Sequence, residues 1–168
     1  IQTEAAGSAR PGQFISMYTN DGSKLLPRPI SICEIDKEGG KLRVVYRVTG
    51  EKTGTEEFSQ MKAGDTIPVI GPLGNGFPFE KAEGKKVFLM GGGIGVPPIL
   101  ELAKQMECEK KQIVVGYRDA HTFLKEEFEQ AGELYISTED GSVGTKGNVM
   151  DAIRENALEA DMIYACGP

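Results

Sequence analysis

The stretch Phe88-Leu89-Met90-Gly91-Gly92-Gly93-Ile94-Gly95-Val96-Pro97-Pro98 constrains this chain more than any other. An apolar, strand-like run enters a cluster of glycines and leaves through prolines that suit a helix start. Glycine lets the backbone come close to a phosphate, and the N-terminus of the following helix offers free N–H groups and a positive dipole end. Pro98 is suited to the first helical turn, where its missing N–H would be unpaired in any case. A glycine cluster alone is equally a tight strand-to-helix turn. After the first strand of an α/β unit, where open sheets bind nucleotides at their carboxyl edge, it points to a dinucleotide.

The pattern around it supplies that context. Lys86 to Met90, Gln112 to Tyr117, Leu134 to Thr138 and Met162 to Ala165 read as strands, and Pro98 to Met106, Thr122 to Gln130 and Val149 to Leu158 carry helical spacing of apolar residues. Their alternation predicts a parallel sheet with helices on its faces over residues 78–168. Residues 1–77 read differently. Gln13 to Tyr18, Ile30 to Ile35 and Leu42 to Val48 are short Ile-, Val- and Tyr-rich runs, with a hairpin turn expected at Asp36 to Gly40. Thr55 to Met61 is a short helix candidate and Thr66 to Ile70 a further strand. The run Gly71 to Phe77 is dense in turn formers and marks the domain boundary. The expected architecture is an antiparallel all-β unit, which the resemblance given below implies to be a β-barrel, followed by a parallel α/β domain.

Within this frame several residues could carry chemistry. Thr138-Glu139-Asp140 falls at the tip of the third parallel strand, where Glu139 and Asp140 could accept from a ribose 2′-hydroxyl and repel a 2′-phosphate, favouring NAD over NADP; a solvated loop is the plain alternative. Asp119, 26 positions beyond Gly93, is a second candidate. Arg28-Pro29-Ile30-Ser31 opens a strand, and Val45-Tyr46-Arg47 is expected on the strand beside it. Two arginines and a hydroxyl so placed could clamp a pyrophosphate, because guanidinium matches phosphate oxygens bidentately, although surface arginines on a half-exposed sheet would look the same. Gly54-Thr55, at a helix start, could add backbone donors. Cys166-Gly167 ends the fourth parallel strand at the same carboxyl edge as the glycine loop; a lone Cys is by itself ordinary core filling.

Composition narrows the classes. With His121 the single histidine among 168 residues, a His-rich zinc site is excluded, and His121 is expected in a loop or helix cap without a catalytic role. A formal charge of −6 leaves no global basic field for nucleic acid or an anionic membrane, and no apolar run approaches the ~20 residues of a membrane span. Cys33, Cys108 and Cys166 are odd in number and widely spaced, which fits a cytoplasmic protein. The start at Ile1 and the stop at Cys166-Gly167-Pro168 directly after an apolar run raise the expectation of a piece of a longer protein.

The order of Arg28-x-x-Ser31, Gly93-x-Gly95-x-x-Pro98 and Cys166-Gly167 in two differently patterned domains resembles the ferredoxin-NADP reductase family of flavoproteins. Within it, Leu26 to Ile32, Val45 to Val48, Gly71 to Phe77 and Glu139 to Gly144 are similar to the electron-transfer subunits of type B, NAD-linked dihydroorotate dehydrogenases. Ile30, where plant-type reductases carry an aromatic residue, fits that subfamily. The resemblance implies that Arg28 binds the FAD pyrophosphate and that Pro29, Ile30 and Ser31 line the isoalloxazine, with Ser31 near flavin N5. Val45, Tyr46 and Arg47 would hold the ribityl and phosphate portion, and Gly54-Thr55 would close over the phosphates, although two extra residues lie between Gly50 and Gly54 relative to the family pattern. Gly93, Gly95, Val96 and Pro97 would pass under the NAD pyrophosphate, with Cys166 and Gly167 against the nicotinamide.

The resemblance further implies an FMN-containing dihydroorotate dehydrogenase catalytic subunit as partner in a heterotetramer, with electrons passing through a [2Fe-2S] centre and FAD to NAD in pyrimidine biosynthesis. Three scattered cysteines cannot ligate that cluster, so its ligands are expected after Pro168, and the first barrel strand or two before Ile1. Related NAD(P)H:ferredoxin or sulfite reductase subunits share the flavin and nicotinamide motifs. A non-enzymatic nucleotide-sensing module would share the glycine loop alone.

Overall fold

The computed structural model describes all 168 residues and divides into two units, Ile1–Gly76 and Phe77–Pro168. The first contains β1 (Phe14–Met17), β2 (Arg28–Asp36), β3 (Lys41–Val44), α1 (Gly54–Gln60) and β4 (Val69–Leu73). Its strands form one antiparallel sheet in the order β3-β2-β1-β4. Side chains alternate between faces along a strand. Ile15 and Met17 of β1 accordingly face the core with Ile32, Leu42 and Phe58, and Ile30, opposite Ile15, packs against the same cluster. The hairpin at Asp36 to Gly40 forms as expected, its turn closed by the Gly39 N–H donating to Asp36 Oδ1 at 2.7 Å.

Two strand limits differ from the sequence reading. The expected strand Leu42 to Val48 stops at Val44, where the β2–β3 ladder ends with Ile32 opposite Val44. The Ile32 N–H donates to Gln13 O, towards β1, so by the two-residue alternation the nitrogen of Pro29 points to the other side. That is the side on which residues 45–47 would pair, and Pro29 has no hydrogen to give them. The expected strand Thr66 to Ile70 lies later, as Val69–Leu73, and takes in Gly71-Pro72-Leu73 from the expected turn. β4 is an edge strand, where proline leaves no ladder bond unmade.

The second unit contains β5 (Lys86–Gly92), α2 (Val96–Gln105), β6 (Lys110–Tyr117), α3 (Lys125–Ala131), β7 (Glu133–Thr138), β8 (Thr145–Lys146), α4 (Val149–Glu155) and β9 (Met162–Cys166). The sheet is parallel throughout, in the order β8-β7-β6-β5-β9. Val87, Phe88 and Leu89 are buried in succession, as are Ile113, Val114 and Val115, the signature of strands covered on both faces. A side chain at Gly91 would meet Val96 of α2, whereas one at Gly116 would meet Val149 of α4. Gly92 and Gly116 are in register and Gly91 is one residue off, so α2 and α4 cover opposite faces. α2 begins at Val96, two residues before the expected start, and α3 begins at Lys125 rather than Thr122, after Leu124 adopts a left-handed conformation. α4 ends at Glu155, short of Leu158, and the two-residue β8 is too brief to leave a periodic signal. No helix is long and apolar enough to cross a membrane.

Phe128 of α3 is wholly buried and is the largest side chain in that state. Phe128→Ala is expected to lower stability by about 3–5 kcal/mol in urea titration, through lost burial and the cavity left behind. A loss below about 1 kcal/mol would contradict this packing.

Candidate dinucleotide sites

In the second unit the glycine loop is built by contact of backbone on backbone. β5 and β9 run in register to Gly91 opposite Cys166. A Cβ on Gly95 would lie 2.3 Å from Cys166 O, and one on Gly167 would lie 2.7 Å from Gly92 O. Such approaches are closed to every residue with a side chain. They lock the Gly93–Gly95 turn against the end of β9. Gly93 itself, at φ +52°, has nothing within 4 Å of where a Cβ would be, and Gly92 has only Pro168 Cδ at 3.9 Å. Two glycines are thus packed to form the loop, and two leave open backbone in front of it.

The hydrogen-bond donors differ from the expectation. α2 starts at Val96, whose N–H already donates to Gly93 O, and the next two residues are Pro97 and Pro98. The first helical turn therefore has no amide free for an anion, although its dipole remains. The loop amides of Gly93 and Ile94 are the donors left to face a pyrophosphate. The Pro97-Pro98 pair was the sequence signal for this.

At the tip of β7 the two expected carboxylates part company. Asp140 Oδ1 accepts from the Ser142 N–H at 2.9 Å, and hydrogen bonds from Ser142 hold its carboxyl below the usual range. Thr138 Oγ1 pins the same loop, donating to Val143 O at 2.9 Å and accepting from its N–H at 3.1 Å. Both carboxylates are exposed; Asp140 also folds the loop, while Glu139 stands at its rim. Asp119 is also engaged: its Oδ1 accepts the His121 N–H at 2.9 Å and lies 2.8 Å from His121 Nδ1. His121 sits in the loop after β6 with its side chain 95% exposed. The half-buried Cys166 thiol is pushed up from its ordinary pKa by burial, so it is neutral at neutral pH.

In the first unit Arg28 opens β2, and its guanidinium lies against the start of α1. A Cβ on Gly54 would be 3.1 Å from Arg28 Nε. Arg28 Nη1 also donates to Leu26 O. Along β2, Pro29 and Ser31 share the face opposite the core, while the Ile30 side chain packs into it, so any contribution of Ile30 to a ligand is through its backbone. Val45, Tyr46 and Arg47 are not on a paired strand. Tyr46 instead meets Phe58 of α1 edge to face, ring centroids 6.0 Å apart, and Arg47 is exposed. The segment is tied to α1 through Thr55, whose buried hydroxyl accepts the Thr49 N–H at 3.1 Å and contacts Thr53 Oγ1 at 3.0 Å. Thr53 caps the helix by accepting from Glu56 N–H. The Thr55 side chain is thereby structural, part of a hydroxyl cluster whose only signal in the sequence is the spacing of the threonines.

No family model matches the chain. The "dihydroorotate dehydrogenase B (NAD(+)), electron transfer subunit" of Bacillus caldolyticus is 46% identical over 164 residues, covering 95% of this chain and 63% of that protein. Its namesake in Caldanaerobacter subterraneus is 44% identical over 94% of this chain and 61% of that one. Among solved structures, an NADH-dependent reduced ferredoxin-NADP oxidoreductase matches with TM-score 0.85 and 33% identity over all of this chain and 61% of its own. A Plasmodium falciparum ferredoxin-NADP+ reductase, at 18% identity and TM-score 0.69 over 95% of this chain and 73% of its own, shares the fold. The chain has the ferredoxin-NADP reductase fold and is a homologue of these electron-transfer subunits. It spans about three fifths of the length of the relatives it matches.

The donor sets of this homologue fit two phosphate-bearing ligands, one in each unit: a guanidinium against Gly54 in the first, and an open glycine backbone beside Cys166-Gly167 in the second. They do not fit an iron–sulfur cluster, since the three cysteines are separate and no group of His, Cys, Asp or Glu could hold a metal ion. The raised Cys166 pKa has a direct consequence. Its alkylation by iodoacetamide, followed by peptide mass spectrometry, is expected to stay slow through the ordinary thiol range of about 8.5 and to accelerate only above it. A rate already at its plateau near neutral pH would contradict the burial.

Proposed function

We propose that the chain is the electron-transfer part of a type B dihydroorotate dehydrogenase, through which electrons released by dihydroorotate oxidation on an FMN-bearing partner subunit reach NAD+ in the cytoplasm. The observation that carries this reading is the glycine loop locked against Cys166-Gly167, with open backbone at Gly92 and Gly93, in a chain homologous to proteins of that name. FAD, when bound, supplies the chemistry that joins one-electron carriers to hydride exchange with a nicotinamide.

The residues of the chain bind and orient. Arg28 offers fixed positive charge to the flavin pyrophosphate, beside Gly54, with Arg47 as a second, exposed cation. Ser31, on the open face of β2 with Pro29, presents a hydroxyl that can donate to a ring nitrogen of the flavin. Gly93 and Ile94 donate to the nicotinamide dinucleotide's phosphates. Cys166 gives the nicotinamide a neutral, polarisable wall and carries no negative charge that would hold the ring in its oxidised, cationic form. Glu139 accepts from the adenosine ribose and repels a 2′-phosphate, which favours NAD over NADP. Hydride transfer moves no separate proton, so no acid–base residue is called for.

The similarity to the NADH-dependent ferredoxin-NADP oxidoreductase supports a second reading with the same cofactors and a different partner. Co-purification separates the two: an FMN-bearing partner that oxidises dihydroorotate supports the first, and a ferredoxin-linked partner the second. The protein purified with FAD is expected to be yellow and to be bleached by NADH in stopped flow. Ser31→Ala and Cys166→Ala are expected to slow that bleaching about tenfold or more while retaining flavin, and Glu139→Ser to narrow the preference for NADH over NADPH. A preparation that stays colourless with added FAD would overturn the reading in favour of a nucleotide sensor, and unchanged rates in both variants would remove Ser31 and Cys166 from the site.

A further inference from the structure

The loop between β1 and β2 carries the two most exposed large apolar side chains in the chain, Leu25 at 82% and Leu26 at 75%. Exposure alone says little, since single surface leucines are common. Here the two are consecutive, and the loop that holds them is fastened at both ends. On one side Lys24 bridges Glu57 of α1 at 2.9 Å and Asp21 at 3.2 Å, while Asp21 Oδ1 accepts from the Ser23 N–H and hydroxyl at 2.9 and 2.7 Å. Asn20 N–H donates to the other Glu57 oxygen at 2.8 Å, and its side-chain amide donates to Thr66 O at 3.2 Å. Beyond the leucines, Arg28 donates to the carbonyl of Leu26 itself. The same Arg28 guanidinium lies against Gly54, whose Cβ position is also 3.1 Å from Thr19 Cγ2 at the start of the loop.

An apolar tip held in place by charge pairs, and joined by a hydrogen bond to the arginine read above as a phosphate ligand, has the two halves of a recognition element for a nucleotide: a hydrophobic wall for a base and a cation for the phosphate next to it. We propose that Leu25 and Leu26 form the wall against which the adenosine half of the flavin dinucleotide lies, so that this loop selects FAD over FMN. The inference rests on the reading of Arg28 as a pyrophosphate ligand. FMN ends at its single phosphate and gains nothing from the leucines, whereas FAD continues past Arg28 and covers apolar surface that is otherwise in water.

Binding of FAD, FMN and ADP to the apoprotein, measured by calorimetry, tests this without reference to turnover. The double variant Leu25→Ser/Leu26→Ser changes only exposed side chains and is expected to fold as the parent does. Its affinity for FAD and for ADP should fall by about tenfold or more, while FMN binds within about twofold of the parent. Arg28→Ala should weaken all three ligands. If the leucine variant binds FAD and ADP as the parent does, or loses FMN in equal measure, the wall is absent; impaired assembly with a partner subunit alongside unchanged FAD affinity would overturn it in favour of protein docking. If Arg28→Ala leaves every ligand unaffected, it is the underlying flavin reading that fails.

Discussion

The second unit depends on a meeting of two backbones. Gly95 lies against the carbonyl of Cys166, and Gly167 against that of Gly92, at separations where a single methyl group would force the strands apart. The contact fixes where β5 ends, where α2 can start and where β9 stops, and so determines what the carboxyl edge of the sheet can present. It also explains why a glycine-rich loop after the first strand and a Cys-Gly after the last belong together, although 71 positions separate Gly95 from Cys166. Each supplies the missing Cβ that the other needs.

The loop that results does not work mainly as a helix N-terminus. Val96 has its N–H engaged and Pro97 and Pro98 have none, so an anion here would be met by the turn amides at Gly93 and Ile94 with the helix dipole behind them. In the first unit a proline stands at a comparable limit. The ladder to β3 stops at Ile32 opposite Val44, Pro29 offers no donor on that side beyond it, and residues 45–49 pack on α1 through Tyr46 and Thr49. The start of α1 is thereby fastened beside Arg28. In both units a residue lacking either a side chain or an amide hydrogen decides where a ligand can approach.

Most of the architecture was legible because its signals are local. Consecutive buried residues in β5 and β6, the Asp36 to Gly40 turn and the glycine loop each follow from a few neighbouring residues. What was not legible depends on long-range register or on competition for the same atoms. Strand-like composition at Val45 to Val48 gives no hint that the pairing with β2 ends at Ile32 opposite Val44. The turn formers Gly71 and Pro72 belong to a strand because β4 is an edge. Glu139 and Asp140 look interchangeable in sequence, and only the structure shows that Asp140 also closes the loop through Ser142 while both carboxylates stay exposed. Asp119 was a reasonable ribose candidate by spacing, but His121 engages it. The Leu25-Leu26 tip carried no signal until its fastening to Arg28 and Glu57 was visible.

Contact between the glycine loop and the end of β9 is what would create a nicotinamide dinucleotide site in the proposed function. Its most direct test is the affinity of Gly95→Ala for NADH, measured by calorimetry alongside the thermal midpoint, with Ile94→Ala as a control that leaves the contact intact. Gly95→Ala is expected to weaken NADH binding about hundredfold or more as the loop is pushed from Cys166, while Ile94→Ala stays within a few-fold of the parent. NADH affinity unchanged in a folded Gly95→Ala protein would contradict it.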